Sequence, residues 1–238
     1  MNTFKLFFVG IFICILSTSA CKDTPRKEII ETSDAPNIEN KVVIDPVEIK
    51  KKEEPFRLTE DNAIEFFFEY EKTLTENTVK ITTNHGSFVI KLFDNVPYHR
   101  ANFIYLTKKG YFNGTMFHRV VKNFIIQGGN SDTRETGKKR REIGRYLLPP
   151  DTRKGHKHHR GVISMPSGEI DNPHKLASPY EFFIVVTKPG SYHLDGDYTP
   201  FGKVIRGMDV VDKINNVPVD QGDWPKSNVF ILKAEVIR

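Results

Sequence analysis

The chain has 238 residues, 38% of them hydrophobic and 27% charged, with a formal net charge of +5. That length and apolar content suit one soluble domain with a substantial core, plus appendages. A disulfide-stapled scaffold is excluded: Cys14 sits inside an N-terminal apolar run and Cys21 just after it, so a cleaved chain keeps a single thiol.

Lys5 precedes an unbroken apolar run over 6–16, followed by Ser17, Thr18, Ser19 and Ala20. Charged, apolar and small-residue regions in that order read as a secretory signal over 1–20, and the run is too short for an ordinary membrane span. The place of Cys21 resembles the lipoprotein signal of bacteria, although Thr18 stands where that signal usually has an aliphatic residue. The resemblance implies acylation of Cys21 and an exported protein anchored by lipid in the bacterial cell envelope, on its periplasmic or surface face. Each buried methylene would add about 0.8 kcal/mol to the attachment. Residues 21–55 are rich in Lys, Glu, Asp and Pro, with Val42, Val43 and Ile44 their only sizeable apolar cluster. Such a segment buries too little to offset ordering and reads as a flexible tether, with a typical span on the order of 30 Å.

A helical extension is expected over 56–78. Thr59 is the candidate N-cap, with Glu60 and Asp61 in the first turn, and Ala63, Phe66, Phe67, Tyr70 and Leu74 recur at helical spacing. Ile64 and Phe68 lie off that stripe, and the helix is expected to dock on the main domain.

From 79 onward the texture changes to short strands. The first two, over 79–83 and 88–93, flank Asn84-His85-Gly86 as a hairpin with a longer loop. A helix follows over 98–109, stopped by Gly110, and Asn113-Gly114 turns the chain into a strand carrying Arg119. Further strands are expected over 161–165, 182–186, 201–205 and 229–237, with a second helix over 208–215. Many short strands and two helices fit a mainly β, closed antiparallel barrel.

The most informative stretch is Phe117-His118-Arg119 through Phe124-Ile125-Ile126-Gln127-Gly128-Gly129. One arginine and one glutamine stand among large apolar residues, which suits gripping a neutral peptide, with no nucleophile or metal ligand in the stretch. Alternation along a strand puts Phe117, Arg119 and Val121 on one face and groups Ile125 with Gln127, but it does not bring Phe124 to that face. Taken singly, the arginine suits a solvated strand position, and Phe124, Ile125, Phe183 and Leu194 suit a core. Phe182-Phe183-Ile184, Leu194-Asp195-Gly196 and Phe201-Gly202 complete the pattern.

Together these motifs resemble the signature of the cyclophilin-type peptidyl-prolyl cis-trans isomerases, over 79–238. The resemblance implies an eight-stranded barrel with a helix covering each open end, no cofactor and no metal. It implies that Arg119 is catalytic, that Phe124, Ile125, Phe183 and Leu194 hold the proline ring, and that Gln127 fixes a flanking carbonyl. The partners it implies are proline-containing polypeptides, here of the envelope or secreted, with the protein itself a monomer.

Departures gather at the substrate groove. Pro166 and Ser167 replace an alanine and an asparagine, Glu181 replaces a glutamine, His193 stands for a tryptophan and Tyr198 for a histidine. The carboxylate of Glu181 is expected near Arg119, either orienting the guanidinium or holding it in an ion pair. The stretch over 168–180 reads as a remodelled loop. These changes leave a second reading open: a catalytically weak proline-peptide-binding module or chaperone on the same barrel.

Lys138, Lys139, Arg140 and Arg141, then Arg153, Lys154, Lys157 and Arg160, make the middle strongly basic. The first run reads as a solvated loop. No aromatic residues interleave it, so nucleic acid is not a partner, and an anionic membrane surface is the better functional reading. His156, His158 and His159 lack a nearby carboxylate or cysteine to complete a metal set. Gly128-Gly129 lacks the lysine of a phosphate loop.

Overall fold

Successive strand residues face opposite sides, so strands with one apolar side can close into a barrel with that side inward. This happens in the computed structural model, which describes residues 55–167, 171 and 173–237. The signal, Cys21 and the tether up to residue 54 lie outside the described residues, as do 168–170 and 172 of the loop before Tyr180.

Eight antiparallel strands form the wall: β1 (Thr78–Thr83), β2 (Gly86–Leu92), β3 (Met116–Val121), β4 (Ile125–Asn130), β5 (Val162–Ser164), β6 (Phe182–Val185), β7 (Pro200–Arg206) and β8 (Val229–Val236). They close in the order β1-β2-β7-β5-β6-β4-β3-β8. Among the described residues four α-helices accompany them: α1 (Ala63–Lys72), α2 (Pro97–Lys108), α3 (Arg134–Ile143) and α4 (Met208–Asn215). Among the described residues no helix is long and apolar enough to cross a membrane.

α4 covers the end of the barrel at the β1–β2 turn, where Val210 lies over Gly86, and sends Val211 and Ile214 into the core. α2 leaves β2 at the other end and buries Phe103 against Phe112, Phe182 and Phe201. The inner lining includes Val79, Ile81, Ile90, Phe117, Val120, Ile126, Ile163 and Ile184.

Four local expectations are corrected. The β1–β2 connection is a two-residue turn, since Thr83 pairs directly with Gly86. The N-cap of the first helix is Asn62 and not Thr59; its side chain caps no helical N–H, and its Oδ1 instead accepts from the Thr59 N–H at 2.8 Å in the turn ahead of the helix. The basic run is no loop: it belongs to α3, capped by Thr133, whose hydroxyl oxygen accepts from the Thr136 N–H at 3.2 Å. Glu135 in its first turn and Arg140 and Arg141 in its last complement the helix dipole. The fourth concerns β3 and is taken up with the site.

α1 docks on α2 through aromatic edges. Phe67 is fully buried and packs on Tyr105 and Tyr146, with ring centroids 5.9 and 5.6 Å away. Ahead of α1, Leu58 adds one backbone rung to the end of α3: its N–H donates to Ile143 O at 2.8 Å, and its carbonyl accepts from the Arg145 N–H at 3.0 Å. Gly144 makes this rung possible. At its φ of +133° a Cβ would come within 1.9 Å of the Leu58 carbonyl oxygen.

Candidate functional site

β3 and β4 carry the centre of the site, and a bulge decides which side chains face outward. Phe117 pairs with Gly128 and Arg119 with Gln127, so His118 is an extra residue in β3. A bulge resets the alternation of the strand. Phe117 and Val120 therefore point into the core, while Arg119 and Val121 lie on the outer face. The expected sharing of one face by Phe117 and Arg119 fails for this reason. Gly128 accommodates the buried ring of Phe117, whose nearest carbon would lie 2.9 Å from a Cβ there.

Register carries the outer face across the sheet. Val121 pairs with Ile125 and Ile125 with Val185, while Arg119 pairs with Gln127 and Gln127 with Phe183. Buried Ile125, Phe183 and Val185 form a floor, and half-buried Val121, Phe124, Leu194 and Tyr198 form its rim. The result is an apolar hollow beside the Arg119–Gln127 pair.

Phe124 reaches this hollow because it belongs to a turn and not to a strand. Asn123 adopts a φ of +59°, the Phe124 N–H donates to Val121 O at 3.0 Å, and the Phe124 carbonyl accepts from the Val186 N–H at 2.7 Å. The ring then stacks on His193, with centroids 5.4 Å apart. His193 and Leu194 ride on a single 3₁₀ turn (Tyr192–Leu194), and Tyr198 sets its ring edge-on to Phe183 at 5.5 Å. Pro166 is not part of this cluster. It follows β5, and its carbonyl accepts from the Ser178 N–H at 2.9 Å.

Glu181 is not the partner of Arg119. Its Oε2 accepts from Gln127 Nε2 at 2.9 Å and lies 3.4 Å from His118 Nε2, while its Oε1 accepts from Asn130 Nδ2 at 3.1 Å and lies 3.7 Å from Arg140. Burial pushes its carboxyl up, but His118, Gln127 and Arg140 together outweigh burial and hold it below the usual range. Arg119 instead meets Asp223, at 3.5 Å between Nη2 and Oδ2. Both side chains are well exposed, 43% and 38%, so the pair is weak and open to exchange for a ligand. Asp223 comes from the loop between α4 and β8 and carried no sequence signal. Its backbone carbonyl holds the Val120 N–H at 2.8 Å, which brings the loop to β3.

A second group the sequence did not disclose lies beneath the hollow. His158 is fully buried, with Nδ1 2.7 Å from Asp195 Oδ1 and Nε2 2.9 Å from Ser164 Oγ, and its ring lies parallel to Phe183 at 6.2 Å. Burial pushes its pKa down, partly offset by Asp195. Ser164 is itself fully buried, so this Asp-His-Ser line braces the floor and offers no hydroxyl to a substrate. His156 goes instead to Asn95 and His159 to Tyr192. Among the described residues no three His, Cys, Asp or Glu side chains converge as metal ligands.

The fold and this face define a class: a closed barrel that presents one cation and one amide beside an apolar hollow. Such a face can bind a neutral peptide and place positive charge at one point along it. Residues 78–236 match the family described as cyclophilin type peptidyl-prolyl cis-trans isomerase/CLD. The peptidyl-prolyl cis-trans isomerase of Acinetobacter baylyi is 35% identical over 171 residues, covering 68% of this chain and 87% of the relative. Isomerase B of Escherichia coli is 34% identical over 169 residues, covering 66% and 98%. The isomerase-like 2 protein of Rhizopus delemar is 39% identical over 171 residues, 71% of this chain, which spans only 30% of that longer relative. Among solved structures, a cyclophilin type isomerase of Cryptosporidium parvum superposes with a TM-score of 0.58 at 28% identity, covering 68% of this chain and 98% of the other. The chain belongs to the cyclophilin-type peptidyl-prolyl cis-trans isomerase family, and its activity is the isomerisation of X-Pro peptide bonds.

Proposed function

We propose that the protein accelerates the folding of exported or envelope polypeptides, acting as a monomer tethered to a bacterial membrane through lipid on Cys21. In this reading catalysis is non-covalent and centred on Arg119. The observation that carries the catalytic part is the position of Arg119, outward and beside the apolar hollow. The order of signal, cysteine and charged stretch at the N-terminus supports the tether.

The X-Pro bond rotates over a barrier of about 18–20 kcal/mol because resonance gives it double-bond character. Twisting frees a lone pair on the prolyl nitrogen. A guanidinium placed there bonds the twisted state and neither planar one, which is the condition for lowering a barrier. A charged hydrogen bond is worth about 1.5–3 kcal/mol, while a rate gain of about 10⁵ requires nearly 7 kcal/mol. The remainder comes from the hollow, where Phe124, Ile125, Phe183 and Leu194 exclude water and fix the ring, and from Gln127 on a neighbouring carbonyl. Tyr198 and His193 extend the aromatic rim. A structure of the Cryptosporidium parvum isomerase was solved in the presence of the dipeptide Ala-Pro, which supports proline peptides as the ligand class here.

A protease-coupled assay on an Ala-Pro peptide tests the catalytic part. The purified protein should speed cis-to-trans conversion, and Arg119→Ala should remove most of the gain. Proline-peptide binding with no acceleration would instead establish the weak, chaperone-like reading. The anchor is tested by metabolic labelling with a fatty acid, which should mark the protein and be lost in Cys21→Ala.

A further inference from the structure

A groove of about 590 Å³ lies where the N-terminal extension, the end of α3 and the segment before β6 meet. Its volume is in the range of ligand sites, about 300–1,000 Å³. Leu58, Tyr146, Pro179 and Tyr180 give it an apolar floor, and its wall carries Arg57, Arg140, Arg141 and Arg145 with no carboxylate among the lining residues. Arg140 stacks over Tyr180 at 5.1 Å and lies 3.7 Å from Glu181. The nitrogen that faces Glu181, Nη2, is buried and too far from it for a hydrogen bond. Arg57, Arg141 and Arg145 form no ion pair among the described residues. Several guanidinium groups in one concave wall focus a positive potential. Concavity matters to the choice of occupant, because an extended chain enters a groove and a bilayer surface does not.

The groove adjoins the isomerase site. Tyr180 lines the groove and precedes Glu181, which accepts from Gln127 at 2.9 Å, and Gln127 is the cross-strand neighbour of Arg119. We propose that the groove receives acidic side chains of the same polypeptide whose proline lies at Arg119, so that the preferred substrates carry Asp or Glu within a few residues of the proline. This rests on the isomerase reading and names its substrate class. Planar guanidinium groups match carboxylates through paired hydrogen bonds, and the aromatic floor covers the methylenes.

The test uses the full chain and three labelled peptides with an Ala-Pro centre and flanks of Glu, Ala or Lys. Binding is read by fluorescence anisotropy, and isomerisation is read on the same peptides. At low salt the Glu peptide should bind about tenfold more tightly than the Ala peptide, the equivalent of ~1.4 kcal/mol, and the Lys peptide more weakly than either. The advantage should fall below about twofold in the triple variant Arg57→Gln, Arg141→Gln, Arg145→Gln and return only in part in the triple Lys variant, which restores the charge without the paired hydrogen bonds. Equal binding of the Glu and Ala peptides overturns the proposal, as does a preference that persists in the Gln variant. If that variant does not fold, a preference of the unaltered protein that survives about 1 M salt overturns it equally. Dependence on these arginines for binding phosphatidylglycerol vesicles but not the Glu peptide also overturns it, in favour of a membrane. Tight Glu-peptide binding without acceleration of any peptide sinks the isomerase reading and leaves the groove standing.

Discussion

The exposed ion pair at the site allows one side chain to be told from its neighbour. Arg119 and Asp223 are 3.5 Å apart but largely in water, where such pairs contribute at most about 1 kcal/mol. Asp223→Asn should therefore change kcat/KM by less than about fivefold. In the proposed mechanism Arg119→Ala removes the bond made only in the twisted state, and it should cost about 10²–10³-fold in kcat, the scale seen when one donor to a developing charge is lost. Steady-state kinetics on one Ala-Pro peptide separates them, and equal losses would mean that Asp223 takes part in the chemistry. Arg119, Gln127 and the apolar residues were legible from the sequence only through the resemblance to the family's motifs, and the structure brings them together on one face. Asp223 and the Asp195–His158 contact were not, because the first rests on a loop with no pattern of its own and the second joins positions 37 residues apart.

At the scale of elements, the sequence located all eight wall strands, together with the helices α1, α2 and α4. Alternation failed at β3, where the extra residue His118 changes the faces, and periodicity at α3, whose polar composition hid a helix held by its cap and by tertiary contacts. Lys139, for example, donates to the carbonyls of Gly110 and Asn113 at 3.2 and 2.7 Å. The rung between Leu58 and the end of α3 gives an element-scale prediction. Gly144→Ala places a Cβ 1.9 Å from the Leu58 oxygen at a φ of +133°, so the extension must separate from α3. The variant should lose roughly 1–3 kcal/mol of stability, the cost of a residue forced into such backbone. Hydrogen exchange should quicken at the amides of Leu58 and Arg145 while the barrel strands stay protected. Unchanged exchange at those two amides would show that the rung does not hold the extension.

At the scale of the whole molecule, stability should depend on pH through a buried histidine. His99 on α2 is completely buried against Phe201, both ring nitrogens lack partners, and burial lowers its pKa from 6.5 to about 3. The unfolded chain then takes up a proton that the folded chain refuses. Full stability is present above about pH 6.5 and falls as pH drops below it, at up to about 1.4 kcal/mol per pH unit. His158, also held below the ordinary value, adds in the same direction. Urea denaturation should show a loss of about 2 kcal/mol from His99 between pH 7 and pH 5, and His99→Leu should remove that share. An identical pH slope in the variant would assign the effect elsewhere.

Local chemistry was enough to place the strands and the helices α1, α2 and α4, and to suggest a closed barrel, since propensity and periodicity act over a few residues, while the choice of Arg119 came from the family resemblance. The tertiary structure alone decided that Phe117 turns inward while Arg119 turns outward, that Glu181 serves His118, Gln127, Asn130 and Arg140, and that four arginines line one groove. These outcomes depend on register and on loops meeting across the barrel. Both are set by packing between residues far apart in the chain, where no local pattern carries the information.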